Sequence, residues 1–155
     1  LCIFTPQGPC DIERAPGAER KHAPGALHSR GEGEMATARY IVRDVDAAVA
    51  FYTGRLGFAL KQQFGPAMAI VARGDLDLWL AGPSASASRP MPDGRVPEPG
   101  GWNRIVVSVE NLPVLAAALR EQGVTFRNDI VEGPGGRQIL CEDPSGNGVE
   151  LFEPR

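Results

Sequence analysis

One strand–helix–strand–strand–strand pattern runs through this chain twice, and that duplication restricts the fold more than any single motif does. In the first copy, Arg39-Tyr40-Ile41-Val42-Arg43 is rich in residues that suit a pleated surface. Asp44 stands at an N-cap, and Val45, Ala48, Val49, Tyr52 and Leu56 follow at helical spacing. Gly57 closes the helix, being free to take a left-handed conformation. Extended segments are predicted at about 58–64, 67–72 and 75–80, punctuated by Gly65-Pro66 and Arg73-Gly74. The second copy opens with Arg104 to Val109 as a strand and Asn111 as a cap. A stripe of Leu112, Leu115, Ala116 and Leu119 has Pro113 in its tolerant first turn and Gly123 at its end. Strands are predicted to start at Val124–Arg127, at Gln138–Glu142 and at Val149–Phe152. Asp44-Val45 and Asn111-Leu112 superpose at an offset of 67 positions. A unit used twice is the economical explanation.

The rest of the chain narrows the function classes. Residues 1–34 are rich in Pro, Gly and charge and show neither helical nor strand periodicity, which predicts a disordered extension or upstream sequence translated from a misplaced start. The domain then occupies 35–155, with modules at about 37–81 and 102–154 joined by a Pro-, Gly- and Ser-rich loop, 82–101. A formal charge of −3 offers no basic field for nucleic acid or an anionic membrane, and no apolar run spans a bilayer. Three cysteines, Cys2 and Cys10 in the tail and Cys141 in an apolar run, build no disulfide framework, which favours a reducing, cytoplasmic setting. The only two histidines of the chain, His22 and His28, also fall in the tail.

Two motifs carry a family resemblance over residues 38 to 154. Asp44-Val45-Asp46-Ala47-Ala48-Val49-Ala50-Phe51-Tyr52, closed by Leu56-Gly57-Phe58, resembles the opening strand-to-helix signature of the vicinal-oxygen-chelate superfamily, the glyoxalase, bleomycin-resistance and dioxygenase group. Glu142-Asp143-Pro144-Ser145-Gly146-Asn147-Gly148-Val149-Glu150-Leu151 resembles its closing hairpin. The resemblance implies an α+β fold of two tandem βαβββ modules forming a cupped mixed sheet with helices outside, and a homodimer, since relatives often pair. Turn chemistry makes the hairpin itself mostly scaffold, through Asp143-Pro144 and Gly146-Asn147. Alternation along the last strand sends Val149 and Leu151 to the helices and Glu150 and Phe152 to the cup.

Metal-using members of the superfamily carry ligands at the start of each module's first strand and on its last strand. The matching positions are Thr37, Asp77 or Trp79, Arg104 and Glu150, and only Glu150 is an unambiguous match. Zinc, iron and nickel sites want imidazole, thiolate or carboxylate donors, and a guanidinium has no lone pair to offer. No metal site is therefore expected, and a divalent ion held by carboxylates and water is disfavoured by the neighbouring cation. The cup-facing residues Arg39, Ile41, Asp77, Trp79, Arg104, Val106, Ser108, Glu150 and Phe152 would form an apolar, aromatic hollow with a few charges, suited to a small organic molecule. Arg39 or Arg104 would hold a carboxylate or phosphate, and Trp79 or Trp102 would stack on a planar ligand. Metal-independent binding or sequestration, with no cofactor, is the leading expectation.

Two alternatives stand beside it: a metal-dependent lyase, isomerase or dioxygenase of the same superfamily, and a non-catalytic protein whose cup is filled by an Arg104–Glu150 ion pair. Were the chain an enzyme, Glu150 would be its base and Arg104 its oxyanion partner. Other motifs carry less. Gly133-Pro134-Gly135-Gly136 precedes a strand, so it is a turn and no phosphate loop. Ser84, Ser86 and Ser88 have no histidine to activate them. Tyr52 is expected in the core, and Arg127-Asn128-Asp129 at a solvated strand end.

Overall fold

Residues 36–155 are described by a computed structural model; residues 1–34, and with them Cys2, Cys10, His22 and His28, lie outside the described residues, as does Met35. The first module runs β1 (Ala36–Ile41), α1 (Val45–Leu56), β2 (Ala59–Phe64), β3 (Met68–Arg73) and β4 (Leu76–Ala81). The second runs β5 (Arg104–Ser108), α2 (Leu112–Glu121), β6 (Val131–Gly133), β7 (Gly136–Glu142) and β8 (Gly148–Pro154). Their sheets have orders β1-β4-β3-β2 and β5-β8-β7-β6. In each, the first strand lies parallel to the last, and the other neighbours are antiparallel. The two βαβββ modules form two separate, open four-stranded mixed sheets rather than one continuous sheet.

Each module buries one sheet face under its helix. Val71, Leu78 and Leu80 share the core with Val45, Ala48 and Tyr52, while Ile139, Cys141, Val149 and Leu151 share it with Leu112, Ala116 and Leu119. The α1 ends follow the sequence closely. The Asp44 carboxylate accepts from the Ala47 N–H at 2.9 Å, and Gly57 ends the helix at φ 68°. At α2 two expectations are corrected. Asn111 holds the cap position, but its side chain makes no cap bond; the Glu153 carboxylate, arriving from β8, accepts from the Asn111 and Leu112 N–H groups at 3.1 Å each. Val124–Arg127 is not a strand: it contributes a single bridge between Phe126 and Cys141, and the edge strand is β6 at Val131–Gly133. Beyond Phe126 the side chains of Arg127 and Asn128 turn back onto β7 and the hairpin, so the pleat stops there.

The junction between modules is made by side chains. The Tyr40 hydroxyl of β1 donates to Gly148 O at 2.7 Å and accepts from the Ile105 N–H at 2.8 Å. Asn147 donates to Ile41 O, and Arg43 bonds the hydroxyl and carbonyl oxygens of Ser145 through its N–H and guanidinium. Arg55 and Arg73 reach across to Gln122 O and Ser108 O. Asp143, Ser145 and Asn147 are all buried, so the closing hairpin is a docking element as well as a turn.

Candidate functional site

Four of the residues singled out for ligand contact, Asp77, Trp79, Glu150 and Phe152, lie on the sheet faces turned away from the helices, because they alternate with buried neighbours. In β8, Val149 and Leu151 are fully buried under α2, which sends Glu150 and Phe152 to the opposite face. In β4, buried Leu78 and Leu80 send Asp77 and Trp79 the same way. Arg39 of β1 pairs in register with Trp79, and its guanidinium lies 5.0 Å from the centre of that ring.

Register also settles which residue of the first module corresponds to Glu150. Thr37 and Arg104 are equivalent by the repeat, and they stand opposite Asp77 and Gly148. Two residues further along the last strands come Trp79 and Glu150. The four positions that the resemblance marks for ligands thus read, in this register, Thr37, Trp79, Arg104 and Glu150. An indole N–H is a donor only and a guanidinium has no acceptor, so two of the four have no lone pair for a metal. The carboxylates are engaged by cations: Arg104 Nε lies 2.7 Å from Glu150 Oε2, and Lys61 Nζ lies 2.9 Å from Asp77 Oδ2. Among the described residues no cluster of three His, Cys, Asp or Glu side chains could hold an ion. This donor set does not fit the metal of the superfamily.

The remaining predicted residues separate. Trp102 ends the inter-module loop and is 74% exposed, while its carbonyl accepts from Arg104 Nη1 at 3.3 Å. Ser108 sits at the far end of β5, in a hollow of about 300 Å³ lined by Phe58, Leu76, Val106 and the Arg73 guanidinium. Among the described residues Arg39 makes no ion pair, whereas Arg104 is committed to Glu150. Arg39 is thus the better placed of the two candidate anion anchors.

Arg127 is the residue that sequence reasoning missed. Far from a solvated strand end, its side chain is 17% exposed and forks between Glu142 Oε1 at 2.6 Å, Gly101 O at 2.7 Å and Gly146 O at 2.9 Å. Its guanidinium also lies 5.0 Å from the centre of the Trp102 ring. The paired glycines before Trp102 and in the hairpin were the available signal, since carbonyls beside glycine are open to a fork of donors.

Burial tunes three neutral groups away from reactivity. Desolvation pushes the Cys141 thiol up to about 12, and it raises the phenols of Tyr40 and Tyr52, the latter reinforced by the Asp143 carboxylate it bonds. None is suited to attack a substrate at neutral pH.

Comparison with known proteins agrees with this arrangement. The family model described as Glyoxalase/Bleomycin resistance protein/Dioxygenase superfamily matches residues 34–151. Among solved structures, a member of that superfamily from Sphaerobacter thermophilus DSM 20745 is 30% identical, covering 77% of this chain and 95% of that one at a TM-score of 0.60. TnmS3, an antibiotic binding protein from Streptomyces sp. CB03234, is 27% identical, with 78% and 95% covered at 0.60. A lactoylglutathione lyase from Agrobacterium tumefaciens, at 20% identity with 78% and 93% covered and a TM-score of 0.60, shares the fold. No curated protein matches.

Proposed function

The chain belongs to the Glyoxalase/Bleomycin resistance protein/Dioxygenase superfamily, and from that premise we propose that it binds a small organic molecule, without a metal, on the helix-free faces of its sheets. The observation that carries this reading is the replacement of three of the four ligand positions by Thr37, Trp79 and Arg104, with the fourth, Glu150, held by Arg104 at 2.7 Å. What these residues supply instead is an aromatic face at Trp79, a guanidinium at Arg39 without a carboxylate partner among the described residues, and a polar pair at the other end. Such a mixture orients organic ligands through a few polar groups set in apolar surface. The name of TnmS3, an antibiotic binding protein, supports capture over turnover.

The test is the metal content of the purified full chain, together with titration by Ni²⁺, Zn²⁺, Fe²⁺ and Mn²⁺ and a thermal-shift screen of small organic acids. We expect no stoichiometric metal, and stabilisation by an organic acid that Arg39→Ala abolishes. Stoichiometric metal that disappears in Glu150→Ala would overturn the reading and restore a metal-dependent lyase or dioxygenase.

A further inference from the structure

Resting on the ligand-binding reading, we infer that Arg127 is a positioning residue that clasps the end of the inter-module loop onto the closing hairpin. It thereby holds Trp102 as a one-sided aromatic wall on which a planar aromatic ligand stacks. The clasp is built from both sides. Arg127 bonds the carbonyls of Gly101 and Gly146, and the Asn147 side chain accepts from the Gly100 N–H at 2.8 Å. The Trp102 carbonyl is held by Arg104. The backbone on each side of the indole is thus fixed, although the residue as a whole is 74% exposed.

The clasp stands on the helix-free face of the second module. A Cβ placed on Gly148, which precedes Glu150 by two residues on β8, would meet Arg104 Cβ at 3.3 Å, Leu140 Cδ1 at 3.4 Å and Arg127 Nη1 at 3.8 Å. Gly148 is itself buried, with Arg104, Leu140 and Arg127 packed around it. With a guanidinium over one face of the indole, only the other face is free to stack. Both guanidiniums beside that position are paired with carboxylates, Arg104 with Glu150 and Arg127 with Glu142, so the free indole face selects by stacking rather than by charge, and a flat aromatic ring is the complementary chemistry.

The experiment uses the full chain with 2-naphthoate and 2-naphthylmethylammonium as probes. Affinities are read by calorimetry in the chain with both tryptophans. Trp102 emission is read in Trp79→Phe, which leaves a single tryptophan. We expect both naphthyl probes to bind, and Trp102→Ala to weaken each roughly three- to tenfold, the scale of one stacked aromatic pair. Arg127→Met should increase iodide quenching of Trp102, lower its anisotropy and weaken naphthoate by a similar factor. Arg127→Lys keeps the charge but not the fork and should fall between. Unchanged quenching in both Arg127 variants overturns the positioning role, and no binding of either naphthyl probe overturns the ligand class. If Trp102→Ala binds naphthoate as the parent does while Arg39→Ala does not, the aromatic wall is wrong and the binding face stands. If stoichiometric metal is found, the underlying reading fails instead.

Discussion

Asp143 shows what a single carboxylate can organise. It is 4% exposed and accepts from the backbone N–H groups of Ser145 and Asn147, the Asn147 amide and the Tyr52 hydroxyl. Asp143→Ala strands several buried donors at once and should lower unfolding free energy by about 2–4 kcal/mol, measured by urea denaturation. Gly82 is constrained differently: a Cβ there would run into the Pro66 carbonyl and lie 2.8 Å from Val45 Cγ2. Gly82→Ala should destabilise by about 1–3 kcal/mol, by overpacking at backbone that has no room to move. The hairpin's turn residues were legible in the sequence because turn preference is local. Asp143 as a buried hub was not, because its partner Tyr52 lies 91 residues away.

At the scale of elements, the two helices contrast. Asp44 caps α1 from within its own strand-to-helix turn, three residues from the N–H it accepts. For α2 the acceptor is Glu153 at the end of β8, more than forty residues downstream. Glu153→Ala should destabilise by about 1 kcal/mol through loss of the cap and of a negative charge at a helix N-terminus, and faster amide exchange at Asn111 and Leu112 would locate the effect. Periodicity revealed both helices and seven of the eight strands to within a few residues, because each buries one face. It failed at β6, a three-residue edge strand with Val131 and Glu132 exposed, where no buried stripe exists to be seen. Alternation likewise placed Glu150 and Trp79 on the open face. Which cation meets which carboxylate depends on register between strands, and register is not written in either strand alone.

For the molecule as a whole, the modules meet through edge strands β1 and β5 that pair with their own sheets and not with each other. Tyr40 supplies the link, satisfying an N–H and a C=O of the facing sheet with one hydroxyl. Tyr40→Phe should lower stability by about 1–3 kcal/mol and speed exchange of the Ile105 amide, while amides within β3 and β7 stay protected. Alkaline pH should loosen the fold through the same buried groups. The Cys141 thiol ordinarily ionises near 9 but is held up to about 12 by burial, and the Tyr40 and Tyr52 phenols are raised above their usual 10. Above about pH 9 the unfolded chain therefore loses protons that the native state keeps, and stability falls as pH rises. Urea midpoints taken from pH 7 to 11 should be level up to about pH 9 and decline above it.

Two copies of one unit, facing a shared ligand, would accept that ligand equally well in either direction. Here the copies have parted: where one presents an indole, the other presents a carboxylate clasped by arginine, and where one presents a threonine, the other presents the arginine itself. The duplication survives in the backbone and has vanished from the chemistry. A molecule laid across such a surface would meet a head end and a tail end, so two opposite orientations of one compound would not be equivalent there.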